Sequence, residues 1–278
     1  MKDSLRGRRL DHEYCISRMD ILRSVVNKED ILGKEFITNR CGVCVVVSYE
    51  NRHNVYVTFK EHPYTTKCSL GNLKKGEVSN PLHPLTYGKG FKGVGKYSFK
   101  DKKVSSLWFG MMNRSFNLNF KEKYPTYRDV VVCEEWLCFQ NFAEWCYSQK
   151  FFNVTDFNGE PYELDKDILV RGNKTYSPET CCFVPKAINN LFKFSNRQNK
   201  KNPLGVYFKK SLNKYGASYK DSEGKHRHIG YFNNQIDAFS AYKVVKESTI
   251  KDVAVKYKDF IDQRTYEAMV GWEVTLKD

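Results

Sequence analysis

The segment from Gly205 to Phe232 constrains the fold most, because two turn signals divide it into three short runs of alternating apolar and polar residues. The first turn signal lies in SLNKYG, and the second is DSEGK with its glycine. Asn233 or Asn234 then caps a helix through QIDAFSAYKVVKES, and a second helix follows in TIKDVAVKYKDF. The pattern predicts three antiparallel strands packed on a helix.

Strand alternation assigns the residues of this sheet to two faces. One face is apolar and suited to packing on the helix, and it holds Val206, Phe208, Ala217, Tyr219 and Ile229. The other face is polar and cationic, and it holds Tyr207, Lys209, Ser218, Lys220, His226 and His228. The major groove of DNA is wide enough for a β-ribbon. We therefore expect the second face to contact DNA.

The positive charge of the chain is concentrated near this sheet. The formal net charge is +14, and residues 193–220 contain no Asp or Glu. The cations of that segment are Lys193, Arg197, Lys200, Lys201, Lys209, Lys210, Lys214 and Lys220. Such a cluster neutralises several phosphates, so nucleic-acid affinity should fall steeply with salt. DNA is the expected partner, with Lys200 and Lys201 among the binding residues; an ordinary solvated basic sheet is the structural alternative.

The same residues carry a family resemblance. The strings GVYFKK, KYGASY, HIGYF and AFSAYKVVKE, within residues 203–278, resemble the DNA-binding domain of the plant ethylene-response factors, the Apetala-two family. The ending VAVKYKDFIDQRTYEAMVGWEV resembles the version found in phage homing-type endonucleases. The resemblance implies that the DNA-facing positions are Tyr207, Lys209, Tyr215, Ser218, Lys220, His226 and His228. Tyr, Lys and His stand where the plant proteins have arginines, which leaves the base preference open.

The middle of the chain carries a second resemblance. Residues 105–192 resemble the HNH-type module of phage homing endonucleases, most clearly in VCEEWLCFQNFAEW and LDKDILVRGNKTYSPETCCFVP. The resemblance implies a metal-dependent DNA endonuclease in which a histidine activates water beside a divalent metal. No histidine occurs between His83 and His226. The general base of such a centre is therefore missing.

Asp165 and Asp167 are the candidate catalytic and metal-binding residues that this segment retains. Two positions apart on a predicted strand, they project to one face and could hold Mg²⁺ through oxygen ligands. The alternative is a structural role, in which they cap turns or pair with Lys166 or Arg171. Because the histidine is absent, we favour the structural role, and we expect the segment to hold DNA rather than cut it.

The chain as a whole is predicted to be an α+β protein of three domains. Residues 1–98 contain a helix and then short β-branched and aromatic runs, which predict a small β-barrel-like domain. Residues 99–195 are the HNH-like α/β domain, and residues 196–278 are the three-stranded sheet on its helix. The stretch TYGKGFKGVGKYS is interpreted as a basic, flexible connector, because its glycine spacing fits neither a P-loop nor a dinucleotide fingerprint.

The location and function follow from these patterns as hypotheses. No apolar run approaches the ~18 residues of a membrane span, and the nine cysteines are interpreted as free thiols, so we expect the cytoplasm of an infected bacterial host. The leading hypothesis is a phage-encoded DNA-binding protein with a degenerate nuclease centre. Two alternatives stay open: an anti-defence protein that inhibits a host DNA-targeting complex, and a transcription-factor-like regulator that uses the C-terminal sheet alone. The oligomeric state also stays open.

Overall fold

The computed structural model describes residues 28–192, 201–221 and 223–276. The chain forms two compact units, Met1–His83 and Pro84–Asp278. Its class is α+β with several antiparallel sheets, as the sequence predicted. The three-domain division, with boundaries at 98/99 and 195/196, stays a prediction. No helix within the described ranges combines the length and apolarity that a bilayer span requires.

The first unit is built on a four-stranded antiparallel sheet in the order β1-β2-β3-β4. Its elements are β1 (Glu35–Ile37), β2 (Val43–Asn51), β3 (Asn54–Phe59), β4 (Thr65–Cys68) and a short helix α1 (Leu70–Lys74). Ser69 caps α1, because its hydroxyl accepts the backbone N–H of Asn72 at 3.1 Å. Alternate residues of β2 and β3 point into a core that contains Cys44, Val46, Val55, Val57, Phe59, Leu70 and Leu73.

This sheet is open, which corrects the prediction of a barrel-like domain. In the described part of the chain, β1 and β4 each pair with one neighbour and form the two edges. Barrel closure requires tilted, staggered edge strands long enough to meet, and β1 has only three residues and β4 four. Strands β2 and β3 form a hairpin, since Asn51 pairs with Asn54 across a two-residue turn.

The second unit begins with a helical layer and two small sheets around an aromatic core. Its elements are α2 (Lys102–Phe116), α3 (Leu118–Lys123), β5 (Val131–Val132), α4 (Glu134–Leu137), α5 (Phe139–Ser148), β6 (Tyr162–Asp165), β7 (Thr175–Tyr176), β8 (Cys182–Pro185) and α6 (Lys186–Phe192). β5 pairs in parallel with β7, and β6 pairs antiparallel with β8. The side chains of Trp108, Trp136, Phe139 and Phe142 are fully buried there. Burial of each of the two phenylalanines contributes roughly 1.5–3 kcal/mol.

The glycine-rich stretch TYGKGFKGVGKYS is packed into this core and is not the flexible connector that the sequence suggested. The Phe91 N–H donates to the Leu137 carbonyl, and the Phe139 N–H donates to the Phe91 carbonyl, each at 2.9 Å. This pairing separates α4 from α5 at Cys138, whose backbone is extended. A Cβ on Gly93 would lie 2.4 Å from the Cys138 sulfur, so this approach requires glycine.

A second hydrophobic core connects the segment that runs from β6 through α6 with the C-terminal helices. It combines Ile168, Cys182, Val184, Ile188 and Leu191 with Ile250, Val253, Ala254, Tyr257, Ile261 and Met269. Across the same contact, the Tyr162 hydroxyl donates to the Phe260 carbonyl at 2.7 Å. Residues on either side of the predicted 195/196 boundary therefore share one hydrophobic core.

The C-terminal part has the predicted architecture of three strands on a helix. Strands β9 (Val206–Lys209), β10 (Lys214–Lys220) and β11 (His226–Phe232) form an antiparallel sheet in the order β11-β10-β9 that packs on helix α7 (Gln235–Lys256). A last helix, α8 (Gln263–Val270), follows. Asn234 caps α7 by accepting the Asp237 N–H at 2.9 Å. One helix of 22 residues replaces the two that were predicted, and it runs from the sheet into the second core.

Candidate nucleic-acid interface

Two turns hold the C-terminal strands in register. Asn213, between β9 and β10, has a φ of 50°, in the left-handed region that Asn tolerates better than most residues. Between β10 and β11, the Asp221 carboxylate accepts the N–H groups of Glu223 (3.0 Å) and Lys225 (2.9 Å), and Gly224 has a φ of 79°. Both predicted turns are confirmed.

The register divides the sheet into a helix-facing side and an open face. Residues directly opposite each other in an antiparallel pair share a face. Tyr207 lies opposite Gly216, Gly216 lies opposite Tyr231, and Ser218 lies opposite His228. The side away from the helix consists of Tyr207, Lys209, Lys214, Gly216, Ser218, Lys220, His226, His228 and Tyr231, and we name this set the open face.

Most predicted binding residues lie on the open face, namely Tyr207, Lys209, Ser218, Lys220, His226 and His228. Tyr215 lies on the other side of the sheet, because it pairs with Phe208 and Phe232 and packs on the helix-facing core. Its place in the alternation of β10 puts it on the helix side, although the family resemblance implied a DNA-facing position. Lys201 is exposed but precedes β9, and Lys200 lies outside the described residues.

Three members of the open face were not assigned to it by the sequence, namely Lys214, Gly216 and Tyr231. A β-bulge explains Tyr231. The pairing shifts between Ala217 and Ser218, so that Ile229 is an extra residue in β11 and turns toward the helix. The alternation then resumes one residue later, which brings Tyr231 to the open side. The glycine after Ile229 in HIGYF is the sequence signal for such a bulge.

Aromatic rings occupy the centre of the open face. The Tyr207 ring lies across β10, since a Cβ on Gly216 would be 2.4 Å from its Cζ atom. The Tyr207 hydroxyl is 3.2 Å from Nδ1 of His228, and the His228 and Tyr231 ring centroids are 4.5 Å apart. Partial burial and a hydrogen bond with Tyr231 raise the pKa of Tyr207. Tyr207 and Tyr231 are still 37% and 40% exposed, so Tyr207, His228 and Tyr231 form one solvent-facing aromatic patch.

Cations lie at both ends of the open face. Lys209 and Lys214 are directly opposite each other at one end, and Lys220 is opposite His226 at the other. None of these lysines has an ion pair with another described residue. The acids of the adjacent turn are paired instead with cations of the same hairpin, in Asp221–Arg227 (2.8 Å) and Glu223–Lys225 (2.7 Å). The face therefore carries positive charge that the described structure leaves unmatched.

The candidate metal residues Asp165 and Asp167 lie where β6 ends, and their geometry differs from the prediction. β6 stops at Asp165, so the two carboxylates do not share a strand face. Asp165 Oδ1 accepts the backbone N–H groups of Asp167 (2.7 Å) and Ile168 (2.8 Å). Asp167 Oδ1 is 2.5 Å from the ammonium of Lys166, which is buried. Each carboxylate is thus engaged within its own turn, which agrees with the structural alternative.

The groups around this turn are engaged as well. Asn173 Nδ2 donates to the carbonyls of Lys166 and Thr175, each at 2.7 Å. Burial raises the pKa of Asp165, and the backbone donors of Asp167 and Ile168 oppose that effect. Within the described ranges, no three or more His, Cys, Asp or Glu side chains are grouped so that they could hold a metal ion. The polar side chains of this turn thus bind groups of the turn itself.

Comparison with known proteins adds no relative to this description: no protein-family model, no curated protein and no solved structure matches the chain. The resemblances to the Apetala-two and HNH-type families therefore stay predictions. The function has to be inferred from the chemistry of the open face and of the turn at Asp165.

Proposed function

We propose that this chain is a DNA-binding protein that contacts the phosphodiester backbone with its open face and holds DNA without cutting it. The observation that supports this most is the direct opposition of Lys209 and Lys214 on the same face. Like charges in opposed positions destabilise a pair of strands. A polyanion bound across them removes that repulsion and gains from the release of its own counterions.

The surroundings of the face favour an anionic partner over plain solvation. Residues 201–220 contain no acidic side chain, so the lysines of β9 and β10 have no nearby carboxylate in sequence. Lys220 extends the cationic surface to the far end of β10. Charge at both ends of β10 matches a chain of phosphates better than a single small anion.

The sheet is expected to act as part of the whole second unit. The C-terminal half of α7 buries Ile250 and Val253 in the core that also contains Val184 and Ile188. Residues 196–278 alone would expose that apolar surface to water. This favours a protein in which the middle segment supports the sheet over a regulator that uses the C-terminal segment by itself.

The turn at Asp165 supports holding rather than cutting. A metal-dependent nuclease requires carboxylates that face substrate and a base that accepts a proton. Asp165 is buried and accepts two backbone N–H groups, and Asp167 pairs with Lys166. The turn is a rigid connection between β6 and β7 in this proposal.

Binding is tested with the variant Lys209→Glu/Lys220→Glu, measured by fluorescence anisotropy on labelled DNA between about 50 and 200 mM salt. We expect the affinity to fall about 100-fold or more at low salt and the salt slope to become shallower, by roughly 0.9 for each phosphate that the variant no longer neutralises. The matched control is Lys67→Glu/Lys74→Glu, which changes the net charge equally at exposed lysines of the first unit. Equal affinity and slope in the two variants would overturn the proposal.

Cleavage is tested separately on supercoiled plasmid with Mg²⁺ or Mn²⁺. We expect the wild-type protein to shift the plasmid in a gel without nicking it. Nicking that disappears in Asp167→Asn would show that the turn is a nuclease centre. In that case the protein would bind DNA as proposed, but the statement that it does not cut would be wrong.

A further inference from the structure

The aromatic patch stands in register with the strands of the open face. Tyr207, Gly216 and Tyr231 form one row across β9, β10 and β11. Because Gly216 has no side chain, the Tyr207 ring can lie over the middle strand, where a Cβ would be 2.7 Å from its hydroxyl oxygen. The ring therefore leans across the sheet and does not stand upright on it.

His228 connects the two tyrosines into one surface. It contacts the Tyr207 hydroxyl through Nδ1 and packs on the Tyr231 ring at an interplanar angle of 47°. Both tyrosines remain more than a third exposed. Three mutually supported rings thus present π surface to the solvent, whereas aromatic side chains of the core around α2 and α5, such as Trp108 and Phe139, are fully buried.

The cations of the open face flank this patch along the strand direction. On β10, Lys214 precedes Gly216 by two residues and Lys220 follows it by four. A strand rises about 3.4 Å per residue, so the lysines lie roughly 7 Å and 14 Å from the aromatic row. An extended nucleic-acid strand that runs along β10 would place phosphates over the lysines and bases over the rings.

We infer that the open face holds an unpaired DNA strand, whose bases stack on Tyr207 and Tyr231 while Lys209, Lys214 and Lys220 contact its phosphates. This inference rests on the proposed DNA binding and specifies the form of DNA. Base faces are buried inside the stack of a duplex, so exposed rings can stack only on bases that are unpaired. The structural alternative is that Tyr207 merely covers Gly216.

The experiment compares Tyr207→Leu/Tyr231→Leu with Tyr207→Phe/Tyr231→Phe, which keeps both rings. The probes are an oligothymidylate of about 12 nucleotides, a duplex of equal length and an oligouridylate. We expect the wild-type protein to bind the single strand at least as tightly as the duplex. The Leu variant should bind the single strand about tenfold more weakly per ring, with the duplex affinity and the salt slope unchanged. The Phe variant should bind like the wild type.

A second measurement avoids any variant that could unfold. An oligothymidylate containing 2-aminopurine should lose fluorescence when the wild-type protein binds it, because stacking on a ring quenches this base. Circular dichroism of the Leu variant establishes whether its sheet is intact. Unchanged 2-aminopurine emission in the bound complex would overturn the inference, whatever the Leu variant does.

The other outcomes separate this inference from the proposed function. In one outcome, the Leu and Phe variants bind the single strand equally well while Lys209→Glu/Lys220→Glu binds it much more weakly. That result would contradict the stacking of bases on the rings and would support the proposed DNA binding. A preference of more than tenfold for duplex would do the same. Tighter binding of oligouridylate than of oligothymidylate would reassign the strand to RNA. No salt-dependent binding to any probe would remove the proposed function together with the inference.

Discussion

The turn at Asp165 and the open face both concentrate charged side chains, but they treat that charge in opposite ways. In the turn, Asp165 accepts backbone N–H groups and Asp167 pairs with Lys166. On the open face, Lys209 and Lys214 lie directly opposite each other, and neither forms an ion pair with an acidic side chain of the described residues. Charge that a fold engages internally is not available to a partner, whereas charge that it leaves unmatched is.

The aromatic residues of the second unit show the same contrast. Trp136 and Phe142 are fully buried and hold α2, α4 and α5 together. Tyr207 and Tyr231 sit on the outer surface of a three-stranded sheet and pack mainly with His228. Aromatic content alone therefore does not identify a binding surface, and neither does exposure alone, since Phe208 on the helix side of β9 is 41% exposed.

The largest change in the free energy of unfolding is expected for substitutions of Asp165. Asp165→Ala removes the acceptor of two backbone N–H groups in a buried turn, and the removal of each bond costs about 1.5–3 kcal/mol when the acceptor is charged. Asp165→Asn keeps an acceptor oxygen and removes the charge. We expect the free energy of unfolding to fall by about 3 kcal/mol in the Ala variant and by about 1 kcal/mol or less in the Asn variant, measured by urea denaturation.

The same two variants test whether the carboxylate is needed for its charge. Burial raises the pKa of Asp165 in the folded protein. The folded protein therefore binds the proton of this carboxyl more tightly than the unfolded chain does, so ionisation of Asp165 at neutral pH does not increase the free energy of unfolding. Equal destabilisation by Ala and Asn would contradict this view, because it would show that the negative charge itself is required there. A metal ligand would behave in that way.

The next effect concerns Lys246, a buried cation of α7 whose ammonium donates to the Leu191 carbonyl at 3.0 Å. Burial lowers its pKa from 10.5 to about 8. Between these values the unfolded chain binds more protons, so stability rises with pH; below about pH 8 both states are protonated and the full cost of burial remains. Lys246→Met should raise the free energy of unfolding at pH 7 by about 2 kcal/mol.

The pH dependence supplies the control for that prediction. The advantage of Lys246→Met should shrink as the pH rises from about 8 to about 10, measured by urea denaturation at several pH values. Lys251→Met, at an exposed position of the same helix, should change neither the stability nor its pH dependence. A Lys246→Met protein that is less stable than the wild type at pH 7 would show that the bond to the Leu191 carbonyl outweighs the desolvation of the ammonium.

Local signals in the sequence were sufficient for much of the C-terminal sheet. The turns, the cap at Asn234 and the alternation of β9 and β10 depend on neighbouring residues, and the structure confirms them. The alternation also places Tyr215 on the helix side, where the family resemblance had assigned it to DNA. The period of a strand therefore predicts the face on which Tyr215 lies, and the contact of Tyr215 with DNA stays a prediction.

The features that sequence reasoning missed depend on partners distant in the chain. The bulge at Ile229 arises from pairing with β10, and it moves Tyr231 to the open face. The break at Cys138 exists because Phe91 pairs with the backbone there. Asp165 is the exception, because its partners are only two and three residues away. Asp often accepts the backbone N–H two residues on, and the strand prediction overlooked this local alternative.

The smallest expected effect is also the most direct test of unmatched charge. Lys209→Met and Lys214→Met should each raise the free energy of unfolding slightly at low salt, and a double-mutant cycle should give a repulsive coupling of about 0.5 kcal/mol between them. The coupling should decrease toward 1 M salt, where the Debye length is about 3 Å. The pair Lys214 and Lys220, about 20 Å apart along β10, should show no coupling.

The variants Lys209→Met and Lys214→Met should weaken DNA binding while they stabilise the free protein. Absence of coupling between Lys209 and Lys214 at low salt would mean that the free sheet is not strained by its cations, and the contrast with the Asp165 turn would lose its energetic basis.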